Sequence, residues 1–255
     1  MGSGANYWLT RDIFSRLLGV VYLIAFVCAV NQARPLIGER GLLPIAAWMR
    51  EVPFRQSPSI FYWVPKDWAL AAAAWIGIAL SCLVIAGIAF RYSSWLAALV
   101  WGAIWILYLS FVNVGQTFYG FGWETILLEA GFFSMFLGAH GVAPHPIALW
   151  LFRWLEFRVM FGAGLIKLRG DPCWHSLTCL NYYYETQPMP NPLSWFFHWG
   201  SAWTHTGGVL FNHFSELIVP SGTSCRSRSV PSPGCSRSCF RGRLWPAEIF
   251  PGSIS

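Results

Sequence analysis

The sequence predicts an all-α, polytopic transmembrane helix bundle of five to six spans with short interfacial helices, and three observations lead there. Only 11% of the 255 residues are charged, while 55% are hydrophobic. Soluble domains carry roughly a quarter charged residues, so this chain is too poor in charge to coat a water-facing surface. The apolar residues fall in uncharged runs of about 20, the length that crosses a roughly 30 Å hydrocarbon core. Those runs are continuous and do not alternate, which excludes the strands of a membrane barrel and leaves helices, whose backbone hydrogen bonds close within the segment.

The first span covers 17–33, extended upstream by Ile13 and Phe14 and ended by Arg34 and Pro35. Arg11, Asp12 and Arg16 precede it and no small-residue cleavage site follows, so it reads as a retained span. A loop over 34–67 contains Pro44, Pro53, Pro58 and Pro65, with a short amphipathic helix expected at 42–50. The second span is 68–90, Ala-rich and bounded by Asp67 and Arg91. Residues 92–123 are uncharged and too many for one straight helix, which predicts a span at 94–112 and a polar-aromatic turn at 113–123. A fourth span opens at 124–138, Pro144 and Pro146 break the chain, and a fifth runs over 147–168. A polar, Pro-containing loop to about 191 precedes an interfacial helix at 193–199 and an apolar stretch at 207–219. The 16 Trp suit the bilayer interface, where an amphipathic ring sits well.

Most of the formal charge of +6 is carried by the last residues. Five Arg (226, 228, 237, 241, 243) and Glu248 lie beyond residue 220, and without them 12 basic and 10 acidic residues remain, a net of +2. The basic segment lacks aromatic interleaving, so no nucleic-acid partner is expected. Residues 1–220 form the predicted transmembrane domain. Residues 221–255, rich in Ser, Arg, Cys, Pro and Gly, read as a low-complexity, disordered tail or the product of a shifted reading frame.

Cys28 and Cys82 fall inside apolar runs as packing residues. Cys173 and Cys179 flank a short polar stretch and form a candidate disulfide if that loop faces an oxidising compartment. Cys225, Cys235 and Cys239 have no zinc-site spacing and no supporting His. The six His (140, 145, 175, 198, 205, 213) make no metal-protease pattern, and although His205 and His213 can share a helix face, no metal is expected. There is no Gly-x-Ser-x-Gly nucleophile elbow, so the chain is not itself a lipase. No cofactor motif is present either.

The fifth span carries Arg153, Glu156, Arg158 and Lys167. A charge at mid-bilayer costs about 2.5–3.5 kcal/mol on insertion scales, so each needs a partner, a wet cavity or the interface. On a helix, Arg153, Met160, Ala163 and Lys167 all fall within about 60° of Glu156, whereas Arg158 lies about 200° away. Arg153 and Glu156 are spaced to pair at i,i+3, and Gly162, Ala163 and Gly164 offer a neighbouring helix a close approach. Two readings stand side by side. In one, Arg153 and Arg158 snorkel to one interface and Lys167 to the other. In the other, a polar cavity has Lys167 at its floor or mouth, where a desolvated lysine acts as base or nucleophile. Glu124 and Glu129 in the fourth span are either helix N-terminal charges favoured by the dipole or, in one case, the partner of Arg153 or Arg158.

Phe161-Gly-Ala-Gly164-Leu-Ile-Lys167-Leu-Arg-Gly-Asp171, then Cys173-Trp174, Leu177-Thr-Cys179 and Tyr184-Glu185-Thr-Gln-Pro-Met-Pro-Asn191-Pro192-Leu-Ser-Trp195, closely resembles the lipase maturation factors. Gly122-Trp-Glu124 before Leu127-Leu-Glu129, and Phe211-Asn212-His213-Phe214 with Glu216 and Pro220, are similar to the same family. The resemblance covers about residues 5–220. It implies a multi-pass membrane protein that assists folding and assembly of secreted lipases, a chaperone role, in the endoplasmic reticulum membrane of animals or the plasma membrane of a bacterium. It also implies a cytosolic N-terminus, although the positive charges on 34–66 favour the reverse. That orientation makes the Cys173–Cys179 loop extracytoplasmic. The family pattern continues into a large client-binding C-terminal domain, which is not recognisable after Pro220. A more distant resemblance links Ala163-Gly164-Leu-Ile166-Lys167-Leu168, with Asp171 and Trp174, to the vitamin K-dependent gamma-carboxylases. There the second lysine of a pair is the base; here Ile166 and Lys167 stand at those positions. It implies a shared membrane fold and an alternative function, an enzyme using Lys167 as base on a lipid or quinol-like substrate.

Overall fold

The computed structural model describes residues 8–139, 144–186 and 191–225. Among them every regular element is helical.

Helix α1, Trp8–Ile37, is 30 residues long, about 45 Å at 1.5 Å per residue. Leu18, Tyr22, Phe26, Ala29, Ala33 and Ile37 form one buried stripe at helical spacing. Leu17, Val21 and Ile24 on the other side are exposed, as a lipid-facing surface requires. The helix runs through Arg34 and Pro35, where the sequence predicted its end. The buried stripe continues through Ala33 to Ile37, so burial holds the last turn despite the backbone donor that Pro35 lacks.

After α2, Ile45–Glu51, the chain reaches α3, Asp67–Ile85, which returns antiparallel along α1. Ala73, Ala74, Gly77 and Ser81 give α3 a face of small buried residues, and the Phe26 ring lies over Gly77 so closely that a Cβ there would sit 2.5 Å from it. The predicted second span is broken at Gly87, whose φ of +74° favours glycine, and the short α4, Ile88–Tyr92, follows. Arg16 donates to the carbonyl of Ile85 at 3.2 Å and to Asp12 at 2.9 Å, a cation at the carboxyl end of α3.

Ser93 accepts hydrogen bonds from the amides of Trp95 and Leu96 and starts α5, Ser94–Val114. Helix α5 runs parallel to α1, as its aromatic contacts climb together: Tyr22 meets Trp101 and Tyr108, and Phe26 meets Tyr108 and Phe111. These rings pack edge-to-face with centroids 5.5–6.4 Å apart, at the centre of the core. The connection between α2 and α3 is pinned across the end of α5. Ser59 donates to the carbonyl of Ser110 at 3.0 Å, Ser57 to that of Asn113 at 2.8 Å, and Asn113 back to that of Pro58 at 2.6 Å.

Helix α6, Gly122–Ser134, descends beside α1, and the Tyr22 hydroxyl donates to the carbonyl of Leu127 at 2.7 Å. His145 caps α7, Pro146–Gly170, with Pro146 in its first turn. Helix α7 rises again, so the amino ends of α1 and α7 lie at one end of the bundle and Lys167 at the other. Beyond it come α8, Pro172–His175; α9, Leu180–Thr186; α10, Ser194–His198; and α11, Ala202–His213. A π-helical turn, Phe214–Ile218, then leads into α12, Val219–Cys225, and these last elements return along α7. Buried His205 ties α9, α10 and α11 into one lobe, with one ring nitrogen 2.7 Å from the Asn181 side-chain amide and the other donating to the Phe197 carbonyl at 2.7 Å.

Of the five to six spans expected, three are met by length and composition among the described residues, beside several further helices. Three described helical stretches are long and apolar enough to cross a bilayer: Leu9–Ile37, Asp67–Tyr92 and Ser94–Val114. Helix α6 has 13 residues, about 20 Å, and stops short of a bilayer's thickness. Helix α7 has 25 residues and the necessary length, but it is charged. The 207–219 stretch is divided by the π turn. The fold is an all-α helical membrane protein. The basic tail, with Cys235 and Cys239, and His140 lie outside the described residues.

Candidate functional site on helix α7

Lys167 points from α7 towards the turn after α11. Its ammonium donates to Glu216 at 2.5 Å and to Asn212 at 3.0 Å, and it stands 5.1 Å from the centroid of the Trp174 ring. Asn212 also donates to Glu216 at 3.2 Å, one turn along its own helix. His213 closes the cluster, 3.2 Å from the Trp174 carbonyl and packed edge-on to the Trp174 ring. Close approach here depends on Gly164, where a Cβ would meet Leu217 at 2.6 Å. Gly162 has open space around it, so of the small residues expected to admit a neighbour, Gly164 does so and Gly162 does not. The Lys167 and Glu216 side chains retain 26% and 12% of their exposure. Glu216 sits inside the π turn, whose extra residue aims its carboxylate at Lys167.

Cys173 and Cys179 are joined as a disulfide, with Cα atoms 4.8 Å apart. Asp171 accepts from the amide of Cys173 at 2.9 Å and starts α8. The Asp171 carboxylate and both sulfurs lie within 4.8 Å of one another. The sulfurs are bonded to each other and so offer no thiolates to a metal. Tyr184 stacks on Phe197 and faces His205, and Glu185 pairs with His198 at 2.9 Å. Asn191 accepts from the amide of Leu193 at 2.8 Å and sets the turn into α10, with Pro192 exposed in it. Residues 187–190 of the motif lie outside the described residues.

The remaining charges do not join Lys167. Arg158 pairs with Glu129 of α6, and Glu124 accepts from the Tyr108 hydroxyl and from the Trp123 indole, the latter at 3.1 Å. Arg153 and Glu156 line a separate cleft of about 630 Å³ between α1, α6 and α7, with Arg11 at its wall. The i,i+3 pair expected between them does not form, and Lys167 does not line that cleft. The charged face of α7 is therefore divided: its lower part faces α1 and α6, its upper part the π turn. Glu216 is the partner that sequence reasoning did not assign to Lys167. Its i+4 spacing from Asn212 was the available signal, yet spacing alone does not place one helix against another.

A lysine held by a carboxylate, an amide oxygen and an aromatic face is in the setting of a structural ion pair. Nothing in this geometry favours the carboxylase-like alternative. The family described as the lipase maturation factor transmembrane domain matches residues 9–239, a segment that extends past Pro220 into residues outside those described. Lipase maturation factor 1 of Bos taurus is 41% identical over 237 residues, covering 84% of this chain and 41% of that protein. The Homo sapiens protein of that name is 42% identical over 238 residues, covering 84% and 41%. Lipase maturation factor 2 of Xenopus tropicalis is 35% identical over 231 residues, covering 83% and 32%. The chain thus spans about two fifths of the length of the factor 1 relatives. No solved structure matches it. On the match across its membrane helices and the lobe that follows them, the chain belongs to the lipase maturation factor family.

Proposed function

We propose that this chain acts in the folding and assembly of secreted lipases or similar exported proteins, as the membrane-embedded part of a maturation factor. The observation that carries the proposal is the match to proteins named for that role over 84% of the chain. The architecture supports it. The described motif residues fasten a disulfide-bonded lobe to the end of α7. In this reading the amino end of α1 is cytosolic, and the Cys173–Cys179 lobe projects into the endoplasmic reticulum lumen, or outward from a bacterial plasma membrane, where a disulfide persists. The client is a lipase or a related secreted hydrolase.

The test is co-expression. In eukaryotic cells lacking their own maturation factor, the chain is expressed with a secreted dimeric lipase, and lipase activity in the medium and co-capture from detergent extracts are measured. The proposal expects the lipase to be captured with the chain. It fails if the lipase is neither captured nor brought to higher secreted activity.

A further inference from the structure

The cleft between α1, α6 and α7 is unlike the Lys167 cluster, because two of its charges are unsatisfied. Arg153 and Glu156 both line it, one turn apart on the same face of α7, and neither has a hydrogen bond or ion pair among the described residues. Arg153 is half-buried and Glu156 exposed, so a cation and an anion stand side by side without a protein partner among the described residues, an arrangement that suits a ligand carrying both charges. Its other walls are apolar, among them Phe14, Leu18, Ala130 and Val159, and its volume of about 630 Å³ suits a small amphiphile. Arg11 adds a second cation at the wall, already bonded to the carbonyl of Leu137 at 3.2 Å.

Depth identifies the source of that amphiphile. Arg153 lies seven residues into α7 from Pro146, about 10 Å along the axis. Trp150 and Trp154 flank it, exposed and stacked 6.0 Å apart, as aromatic anchors at the headgroup level of a bilayer. A lipid headgroup is therefore at hand beside the cleft. An anionic headgroup satisfies Arg153 but repels Glu156. A choline headgroup carries no N–H to donate to the carboxylate. An ethanolamine headgroup satisfies both: its phosphate accepts from the guanidinium, and its ammonium donates to the carboxylate. Residues at i,i+3 have Cβ atoms about 5–6 Å apart, a span comparable to that between phosphate and ammonium in this headgroup.

We propose that the α1–α6–α7 cleft is a binding site for an ethanolamine phospholipid, with Arg153 on the phosphate, Glu156 on the ammonium and an acyl chain along the apolar wall. The test uses the full chain in nanodiscs of equal parts phosphatidylethanolamine, phosphatidylcholine and phosphatidylglycerol, extracted into detergent, with the retained lipid quantified by mass spectrometry. Phosphatidylethanolamine is expected to be retained about tenfold over the other two, the worth of one charge-assisted hydrogen bond. Glu156→Gln is expected to keep lipid but lose the preference over phosphatidylcholine. Arg153→Gln is expected to lower retention of all three, and Val159→Trp to fill the cleft and exclude lipid. Retention of the three lipids in equal amounts overturns the proposal, as does enrichment of phosphatidylglycerol or a preference that survives Glu156→Gln. If Arg153→Gln or Val159→Trp fails to fold, the wild-type ratio and the Glu156 variant decide.

Discussion

Lys167 on α7 and Glu216 in the π turn after α11 meet at 2.5 Å, and Asn212 bonds to both of them. This contact fastens the returning end of the chain to α7, and the disulfide-bonded lobe lies between the two segments it joins. If its role is structural, removing one partner should cost more than removing both, because a lone charge is then left without compensation. Lys167→Ala is expected to lose about 3 kcal/mol of stability, and Lys167→Ala with Glu216→Ala is expected to recover part of that loss. Thermal unfolding in detergent, with no substrate present, measures both. A Lys167→Ala variant that unfolds like the wild type contradicts the structural role.

The two glycines of the α7 motif should behave differently. Gly164→Ala places a methyl against Leu217, and overpacking of this kind costs about 1–3 kcal/mol. Gly162→Ala meets open space and removes a helix-weakening residue, so it should be neutral or slightly stabilising. Denaturant titrations of the two variants side by side will show the contrast, and equal effects would contradict the packing described here.

The Cys173–Cys179 disulfide closes a short loop, and chain entropy alone makes such a closure worth about 2 kcal/mol. Cys173→Ser with Cys179→Ser is expected to lower stability by that amount and to raise proteolysis of the α8–α9 segment ahead of the α1–α3–α5 core. Limited digestion followed by peptide mapping reads the order of cleavage.

The up-and-down course of the helices predicts that the two ends of the bundle lie on opposite faces of the membrane. A Cys placed at Leu9 and one placed at Thr186, each in a background with Cys28, Cys82, Cys225, Cys235 and Cys239 replaced by Ser, should be labelled from opposite sides of sealed vesicles by an impermeant maleimide. Labelling of both from the same side would overturn the antiparallel course of the helices.

Most of the helices were legible in the residues. The span at 94–112 was found as Ser94–Val114, and the short helix at 193–199 as Ser194–His198. Apolar run length and breakers act locally, so the sequence records them directly. The details that differ lie where distant packing prevails. Helix α1 continues past Pro35 because Ile37 is buried, and within the second span, Asp67–Tyr92, the helix is interrupted at Gly87, where Arg16 of α1 closes in on the turn.

Composition and periodicity by themselves determined that the chain is helical, that it lives in a membrane, and that one face of α7 carries Arg153, Glu156 and Lys167. The tertiary structure alone decided what each of those charges meets. Lys167 lies about 16 Å along the axis from Glu156 on the same face, far enough for a different neighbour to pack there. That neighbour is the π turn with Glu216, reached through a chain reversal that no local pattern encodes. Lower down, the same face opens towards α1 and α6, and Arg153 and Glu156 are left without a protein partner among the described residues.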